Sequence, residues 1–292
     1  VKFQSFKATN HYSKYTPGFS YLGGANTYDL IGSLELDREW HAPLKQHSED
    51  QGLVFFSSPC DNEAIDQLVQ LRTPAFKIAS FDLPDLDLIQ KVAYTGVPII
   101  MSAGMANLID IQRAVETCLV AENDQMIVLQ CTSLYPAPVQ LSNLKAMQTI
   151  RSRFNVLSGY SDHTVGDHVA IAAVVLGACL IEKHYTLDRS LPGPDHSFAI
   201  EPSELKEMVQ KIRDIESAIG DGIKDGPRPQ EEEMYKNGRR SVHARVDIPA
   251  GTEITDEMLT VKRPGLGIPP HLKEKVVGRT VQKDILSDHW IS

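Results

Sequence analysis

The sequence has few cysteines, no long apolar run and no excess of basic residues, and each absence excludes a class of protein. Its four cysteines occur singly, without a CxxC pair, which argues against a disulfide-stapled domain and fits thiols kept reduced in a cytoplasm. The longest nearly continuous apolar run, residues 170–181, is shorter than the roughly 20 residues that a membrane-spanning helix needs. Lys and Arg number 29 against 38 Asp and Glu, which gives a net charge of −9. We therefore expect a cytoplasmic protein that binds neither membranes nor nucleic acid.

The composition that remains is the ordinary one of a folded protein. Hydrophobic residues make up 42% of the 292 residues and charged residues 23%, a balance typical of globular domains. Because domains average roughly 150 residues, this length fits two domains, or one barrel with an appendage.

Short apolar runs alternate with longer stretches of helical periodicity from residue 1 to about residue 220. Apolar residues recur three or four positions apart in 62–71 and in 203–219, the spacing of an amphipathic helix. This alternation predicts βα units and a parallel sheet. The predicted strands are residues 1–4, 53–57, 75–79, 97–102, 126–131, 156–160 and 179–183.

The polar residues that follow these strands favour a barrel over an open, doubly wound sheet. A polar side chain ends nearly every predicted strand, and the sequence has no GxGxxG or Walker pattern that would mark a nucleotide site at one switch point. A site assembled from all the loops is typical of a (β/α)8 TIM barrel. The sequence shows seven strands where such a barrel has eight, and it starts inside a strand and without Met. We therefore predict that the first strand-helix unit is absent from this chain.

The composition changes after residue 220. Residues 221–238 begin rich in glycine and proline and are polar, which predicts a linker. Residues 239–292 contain short strands and tight turns, which predict a small β-rich domain that is marginal by itself. We therefore predict a catalytic barrel over residues 1–220, a linker over 221–238 and a small domain over 239–292.

Two histidines end neighbouring predicted strands, in Ser-Asp-His at 161–163 and Glu-Lys-His at 182–184. The ends of neighbouring parallel strands lie close together, so the imidazoles of His163 and His184 could share one divalent cation. On spacing alone, the alternative is a pair of hydrogen-bonded structural or substrate-binding histidines.

Two lysines interrupt apolar strands, where burial is costly unless the ammonium group meets an anion. Lys2 and Lys77, with the hydroxyls of Ser58, Ser80 and Ser102, predict a cradle for a phosphate and a carboxylate. Two alternatives stay open for Lys77: a Schiff-base nucleophile as in aldolases, and a strand-end lysine that reaches water.

Further candidates lie in predicted loops. Asp195, in a proline-rich segment, is a candidate acceptor for a substrate hydroxyl or a base, and otherwise part of a rigid turn. Tyr135 either lines the same mouth or only packs, and Arg263 either binds an acidic or amide group or lies in a surface turn. Cys60 and Cys131 have no predicted base beside them, so we expect both to be packing residues.

Ordered motifs cover essentially the whole chain. In the barrel they are Val-Lys-Phe-Gln at 1–4, Phe-Phe-Ser-Ser-Pro at 55–59, Phe-Lys-Ile-Ala-Ser-Phe-Asp at 76–82, Met-Ser-Ala-Gly-Met at 101–105, Gln-Cys-Thr-Ser-Leu-Tyr-Pro at 130–136, Gly-Tyr-Ser-Asp-His-Thr at 159–164, Ile-Glu-Lys-His-Tyr-Thr at 181–186 and Gly-Pro-Asp-His at 193–196. They resemble the sialic acid synthase family, which makes nine-carbon nonulosonic acids from phosphoenolpyruvate and an N-acylated hexose. Lys-Arg-Pro-Gly-Leu-Gly-Ile at 262–268 is similar to the family's antifreeze-like (SAF) module.

The resemblance implies a transferase, active in carbohydrate biosynthesis, with a role for each motif residue. It implies that His163 and His184 bind a catalytic Mn²⁺ or Mg²⁺ ion, and we count Lys77 and Asp195 with them as catalytic candidates. Arg263 matches an arginine that the small domain inserts into the other subunit, which implies a domain-swapped homodimer. The residues implied around phosphoenolpyruvate are Lys2, Ser58, Lys77, Ser80, Ser102 and Ser161. Those implied in the sugar pocket are Gln4, Asp82, Ser133, Tyr135, Asp195 and Arg263.

The motifs leave the acceptor sugar open. Ala-Ser-Phe-Asp at 79–82 and His-Ser-Phe at 196–198 resemble the pseudaminic and spore-coat branches, whereas Gly-Pro-Asp-His at 193–196 resembles the neuraminic and legionaminic branches. The family's first strand also carries a glutamate that has no counterpart in this chain. Two other interpretations stay open: a related phosphoenolpyruvate aldolase that uses phosphorylated sugars, and a barrel that binds sugar without turnover.

Overall fold

The computed structural model describes residues 1–19, 24 and 26–292. These residues form two compact units, Val1–Gly220 and Asp221–Ser292. The first unit is built on a parallel sheet, and the second contains a small antiparallel one.

A parallel sheet is the framework of the first unit. Within the described residues each strand pairs with the next one along the chain, so the spatial order of the strands follows their sequence order. Parallel strands joined in this way place all their carboxyl ends at one edge. The strands are β1 (Lys2–Ser5), β2 (Phe56–Pro59), β3 (Phe76–Ile78), β4 (Ile99–Ser102), β5 (Met126–Cys131), β6 (Leu157–Asp162) and β7 (Ile181–Lys183).

The predicted parallel α/β class is confirmed, and each strand overlaps one predicted from the sequence. The closed eight-stranded barrel is not what the structure shows. In the described part of the chain the sheet curls, but β1 and β7 do not pair with each other. A closed barrel requires a hydrogen-bonded neighbour at every strand edge, so this barrel is open along the side between β1 and β7.

Helices cover the sheet because their apolar faces pack on the strands. In one of them Ala64, Ile65 and Leu68 are buried on a single face, and the Asp61 carboxylate accepts a hydrogen bond from the Ala64 N–H at its start, as N-caps do. No helix in the described ranges is long and apolar enough to cross a membrane. The helices of this unit are α1 (Ala8–His11), α2 (Thr27–Ser33), α3 (His41–Asp50), α4 (Asn62–Gln70), α5 (Leu86–Ala93), α6 (Leu108–Val120), α7 (Ala146–Phe154), α8 (His168–Val175) and α9 (Pro202–Ile219).

The connection between β1 and β2 holds α1, α2 and α3, which the sequence patterns did not predict. These helices are short and largely polar, so they show little apolar periodicity. A buried chain of hydrogen bonds nevertheless anchors α3. The His41 Nε2 lies 2.8 Å from the Ser5 Oγ, and the Ser5 Oγ lies 2.7 Å from the Ser57 Oγ. These two hydrogen bonds connect α3 to β1 and β2.

The second unit contains an antiparallel pair of strands, β8 (Ser241–Ala244) and β9 (Leu259–Lys262). The segment predicted as a linker, 221–238, includes a further helix, α10 (Glu232–Gly238). The Gly265 N–H donates to the Lys236 carbonyl oxygen at 2.8 Å, so α10 is attached to the turn after β9. The buried core of this unit is Val242, Ala244, Ile248, Ile254, Leu259, Val276, Val281 and Ile291.

Gly159 in β6 is a position where the fold tolerates no side chain. A Cβ atom there would lie 2.3 Å from the Leu180 carbonyl oxygen and 2.7 Å from the Leu129 Cδ2. Because a backbone carbonyl cannot move aside cheaply, we expect Gly159→Ala to lower the free energy of unfolding by about 1–3 kcal/mol, measured in urea. Gly32→Ala is the matched control, since among the described residues its Cβ would meet only the Ala8 Cβ, at 3.7 Å. An unfolding midpoint that Gly159→Ala leaves unchanged would contradict this packing.

Candidate active site

A cavity of about 640 Å³ lies at the carboxyl ends of the strands, the edge at which parallel barrels assemble their sites. Most of the predicted site residues line it, although they come from every part of the first unit. These are Lys2, Gln4, Ser58, Lys77, Ser80, Asp82, Ser102, Tyr135, Ser161, His163, His184 and Asp195.

Lys77 is buried in β3, with 2% of its surface exposed. Its Nζ donates to the Ile78 carbonyl oxygen at 2.8 Å and to the Ser102 Oγ at 2.7 Å. The Ser58 Oγ in turn donates to the Lys77 carbonyl oxygen at 2.8 Å. The interpretation of Lys77 as a lysine that reaches water is therefore wrong. Burial lowers the pKa of Lys77 to about 8, so at neutral pH the amine still carries its proton.

Glu182 in β7 is the counter-ion that allows this burial. Its carboxylate oxygens lie 3.7 Å from the Lys77 Nζ and 4.0 Å from the Lys2 Nζ, and Oε1 accepts a hydrogen bond from the Ser161 Oγ at 2.9 Å. Burial alone would raise the pKa of Glu182, but the charges of Lys2 and Lys77 outweigh it and lower the pKa to about 2. Lys2, Lys77 and Glu182, here called the lysine–glutamate cluster, therefore carry one positive charge in excess.

His163 and His184 converge just after β6 and β7. Their ring centroids lie 5.2 Å apart, with the ring planes at 77°. The Tyr135 ring lies 4.3 Å from the His163 ring and 5.9 Å from the His184 ring, and the Phe198 ring lies 5.1 Å from the His184 ring. This aromatic wall fixes the position of both imidazoles.

Each imidazole has an oxygen beside its Nδ1. The His163 Nδ1 lies 2.8 Å from the Thr132 carbonyl oxygen, and since a carbonyl only accepts, Nδ1 carries the proton and Nε2 a lone pair. The His184 Nδ1 lies 3.2 Å from the Asp195 Oδ2. Such oxygen partners are typical of histidines that bind metal ions through the other nitrogen. Burial and the neighbouring His184 lower the pKa of His163 to about 4, so this imidazole is neutral, as a metal ligand must be. The donor set thus fits a divalent cation.

A buried ion pair holds the two strand ends that carry these histidines. The Lys183 Nζ lies 2.8 Å from the Asp162 Oδ2 and donates to the Thr164 carbonyl oxygen at 2.7 Å. The Asp162 Oδ1 accepts hydrogen bonds from the N–H and the hydroxyl of Thr164, both at 2.8 Å. Asp162 directly precedes His163, and Lys183 directly precedes His184. This ion pair therefore sets the spacing of the two imidazoles.

Two predicted site residues lie outside the cavity lining. The Ser133 Oγ is buried and has no hydrogen-bond partner among the described residues, and it faces Gly104, where a Cβ would approach it to 2.1 Å. Arg263 belongs to the second unit, where its Nε donates to the Gly238 carbonyl oxygen at 2.6 Å.

The structure also brings in residues that the sequence did not identify. Glu182 is one, and its signal was an acidic residue inside a predicted strand. In the structure it lies in the half-buried strand β7, in register with Ser161. His11 and Cys60 also line the cavity. The expectation that Cys60 only packs is wrong, because its thiol donates to the Asp82 Oδ2 at 3.7 Å. Nothing in the sequence placed His11 opposite Asp82, since the connection that contains it has no strand register.

Comparison with known proteins bears directly on this site. The sequence profile of the NeuB family matches residues 1–224, and that of the SAF domain matches residues 239–292. The chain belongs to the NeuB family. The resemblance to the sialic acid synthases is thereby confirmed, and so is the SAF module at the end of this NeuB-family chain.

Relatives of this NeuB-family chain include named synthases. An N,N'-diacetyllegionaminic acid synthase from Campylobacter jejuni is 40% identical over 298 residues, which cover 100% of this chain and 89% of that protein. A pseudaminic acid synthase from Helicobacter pylori is 36% identical over 260 residues, or 88% and 76% of the two chains. The crystal structure of the N-acetylneuraminic acid synthetase from Leptospira borgpetersenii, in complex with citrate, has a TM-score of 0.71 at 31% identity and covers 80% of this chain and 78% of its own. The prediction of an enzyme of the nonulosonic acid synthase class is confirmed by these relatives.

Proposed function

We propose that this NeuB-family chain condenses phosphoenolpyruvate with the open-chain form of an N-acylated amino sugar and releases phosphate. The observation that carries the proposal is the lysine–glutamate cluster beside two converging imidazoles in one cavity. An excess positive charge suits the anionic phosphoenolpyruvate, and a pair of imidazoles suits a cation that faces an aldehyde oxygen.

The lysine–glutamate cluster binds and orients phosphoenolpyruvate. Glu182 offsets only one of the two lysine charges, so the phosphate and carboxylate gain a cationic partner that is already in place. Fixing the enol in this way is chiefly an orientation effect. The side chains proposed to contact phosphoenolpyruvate are Lys2, Ser58, Lys77, Ser80, Ser102 and Ser161.

The imidazoles of His163 and His184 would hold a Mn²⁺ or Mg²⁺ ion, and Asp195 positions His184 through the Nδ1 contact. When bound, such an ion supplies Lewis-acid polarisation of the aldehyde oxygen. Asp195 also accepts a hydrogen bond from a sugar hydroxyl. The other side chains proposed to contact the sugar are Gln4, Asp82, Ser133, Tyr135 and the Arg263 of a second copy.

The proposed reaction forms a carbon–carbon bond and a bond between a water oxygen and carbon two, and it breaks the bond between carbon two and the bridging oxygen. Carbon three of phosphoenolpyruvate attacks the aldehyde carbon, whose oxygen gains a proton and becomes a hydroxyl. Water adds to the cationic carbon two and loses a proton. The bond between carbon two and the bridging oxygen then breaks, so that phosphate leaves with that oxygen and a 2-keto acid remains.

The acceptor we propose is an N-acylated hexose of the N-acetylmannosamine type, used in glycan or surface-polysaccharide biosynthesis. The relatedness to a legionaminic acid synthase over the whole chain supports this choice. A pseudaminic-type or spore-coat acceptor is the alternative, which the Ala-Ser-Phe-Asp motif at 79–82 favours. We further propose a domain-swapped homodimer, in which Arg263 completes the partner's pocket, and a cytoplasmic site of action, which the free cysteines fit.

Phosphate release by the full chain tests the function. The protein is supplied with phosphoenolpyruvate, Mn²⁺ and a panel of free and phosphorylated N-acylated hexoses. We expect phosphate and 2-keto acid in equal amounts with a free sugar only. Turnover that requires a phosphorylated sugar would contradict the proposed free acceptor. Sugar binding without phosphate release would support the non-enzymatic interpretation and contradict the proposal.

Gly104 offers a variant that separates binding from folding. A Cβ there would lie 2.1 Å from the Ser133 Oγ, 2.9 Å from the Ser80 Oγ and 3.1 Å from the Ser80 Cβ. The two hydroxyls can rotate away from it, at the cost of the hydrogen bond that the Ser80 Oγ accepts from the Gly104 N–H, and the Ser80 Cβ needs to shift by only a few tenths of an ångström. We therefore expect Gly104→Ala to keep its unfolding midpoint but to raise the KM for both substrates about tenfold, since about one hydrogen bond is lost to each. Gly32→Ala is again the control, and equal KM values in Gly104→Ala and the parent would contradict the assignment of these serines.

A further inference from the structure

Three different donor side chains meet in the cavity at a point separate from His163 and His184. They are His11 at the end of α1, Cys60 after β2 and Asp82 after β3. The His11 Nδ1 lies 3.7 Å from the Asp82 Oδ1, and the Cys60 Sγ lies 3.7 Å from the Asp82 Oδ2. One donor atom of each residue lies within 4.8 Å of the other two. None of these contacts has a role in the proposed condensation.

The spacing of these donor atoms suits a single small cation. An ion held tetrahedrally at about 2.0–2.3 Å separates its ligand atoms by roughly 3.3–3.8 Å. The His11 Nδ1 lies 3.7 Å from one carboxylate oxygen of Asp82, Oδ1, and the Cys60 Sγ lies 3.7 Å from the other, Oδ2. A nitrogen, a sulfur and an oxygen donor together are typical of Zn²⁺, whereas Mg²⁺ and Mn²⁺ prefer oxygen. Three protein ligands would leave a fourth position for water or another ligand.

The donors are held in place by contacts that do not depend on an ion. The Cys60 N–H donates to the Ser5 carbonyl oxygen at 3.3 Å, which ties the residue to β1. The His11 ring meets the edge of the Tyr12 ring at 4.7 Å between centroids. Both the His11 and the Asp82 side chains are largely buried, with 18% and 12% of their surfaces exposed. An ion would therefore enter a site that needs little rearrangement.

We propose that His11, Cys60 and Asp82 form a second cation site, which takes Zn²⁺ or a similar borderline-soft divalent ion. On binding, the Cys60 thiol releases its proton to solvent, and the freed sulfur electron pair forms the bond to the ion. An ion at this point binds the Asp82 carboxylate, which is proposed to contact the sugar, and so blocks acceptor binding. That consequence for the acceptor rests on the proposed function, whereas the binding of the ion does not.

Titration of the full-length, chelator-treated protein with Co²⁺ tests the site, because a cobalt–thiolate bond has its own near-ultraviolet charge-transfer absorption. We expect this band to saturate at one equivalent and to disappear when Zn²⁺ is added. It should be absent in Cys60→Ser and should need at least about tenfold more Co²⁺ in His11→Ala. Thermal melts of both variants show whether they are folded.

Three matched variants distinguish this site from other thiols and imidazoles. Cys179→Ser removes an exposed cysteine, and His163→Ala removes a residue of the first proposed cation site; both should keep the band. Cys131→Ser removes the thiol that lies 3.8 Å from the His163 Nδ1, and it should keep the band as well. A band that is absent from the parent protein, that persists in folded Cys60→Ser or that is lost in folded Cys131→Ser would overturn the proposal.

Inhibition separates the consequence for the acceptor from the binding of the ion. We expect Zn²⁺ to raise the sugar KM at least tenfold in the presence of excess Mn²⁺, and to leave the sugar KM of Cys60→Ser unchanged. A Zn²⁺-dependent loss of activity that is equal in both proteins would contradict the link to the acceptor. If the parent shows no turnover with any sugar, the proposed function fails, while the cobalt titration still decides the site.

Discussion

His184→Ala is expected to lower kcat by about 10²–10³-fold, because the polarisation of an aldehyde by a bound cation contributes several kcal/mol. The variant removes one of two imidazoles whose rings lie 5.2 Å apart, and it would leave the proposed cation with a single nitrogen ligand. Phosphoenolpyruvate binding should change little, since the lysine–glutamate cluster is untouched. Steady-state phosphate release measures kcat, and calorimetry measures phosphoenolpyruvate binding.

His168→Ala is the control for this experiment. His168 begins α8 and is not part of the cavity lining, so its loss should leave kcat within about twofold. A kcat of His184→Ala that equals that of His168→Ala would contradict the assignment of His184 to the reacting centre. A loss of phosphoenolpyruvate binding alone would instead move His184 to the anion site.

Glu182→Gln is expected to lower the free energy of unfolding at neutral pH by about 3–5 kcal/mol, since it leaves Lys77 buried without a counter-ion. Lys77→Met should have a smaller cost, because Glu182 keeps Lys2 as a counter-ion, with its Nζ at 4.0 Å. The double variant should recover most of the loss, as a buried ion pair and an apolar replacement differ little in net stability. Chemical denaturation at pH 7 measures all four proteins in a double-mutant cycle.

The Lys91–Asp66 pair on the surface provides the control. Its Nζ and Oδ1 lie 3.0 Å apart, with 36% and 62% of the two side chains exposed, and exposed pairs contribute about 0–1 kcal/mol. Asp66→Asn should therefore fall in that range. A cost for Glu182→Gln no larger than for Asp66→Asn would contradict the buried cluster.

The lysine–glutamate cluster makes the free energy of unfolding depend on pH, and the two pKa shifts set the direction of the change. The pKa of Glu182 falls from its ordinary value of 4.5 to about 2 in the folded protein, so it stabilises the fold above about pH 4.5 and this contribution is lost as the pH falls towards 2. The pKa of Lys77 falls from 10.5 to about 8. Lys77 therefore opposes folding at neutral pH, and this penalty is relieved as the pH rises from about 8 to 10.5. In a plot of the free energy of unfolding against pH, Glu182→Gln should lose the change on the acidic side. Lys77→Met should lose the change on the basic side.

The strands and the longer helices were predictable because their patterns are local. A buried parallel strand reads as a short apolar run between turns, and β5 lies at Met126–Cys131, as the run at 126–131 predicted. The long helix α9, at Pro202–Ile219, begins one residue before its predicted start. By contrast α1 spans four residues and buries only Ala8, so it leaves no periodicity to detect.

Most of the cavity lining was predictable from strand ends, and Tyr135 and Asp195 from loop motifs. His163, His184 and Lys77 were identified because parallel strands bring their carboxyl ends to one edge. Glu182 was missed because its importance depends on which neighbours face it across the barrel, Lys77 at 3.7 Å among them. His11 and Cys60 were missed for a related reason: they meet Asp82 through tertiary packing, which neither composition nor spacing encodes.

One isotope measurement tests the central claim most directly, namely that this cavity joins phosphoenolpyruvate to a sugar aldehyde and expels phosphate by breaking the carbon–oxygen bond. Phosphoenolpyruvate that carries a heavy oxygen isotope at the bridging position is converted by the full chain with Mn²⁺ and the active acceptor sugar, and both products are analysed by mass spectrometry. The account predicts all of the label in the released phosphate and none in the keto acid. Label retained in the keto acid, which requires cleavage at phosphorus, would contradict it.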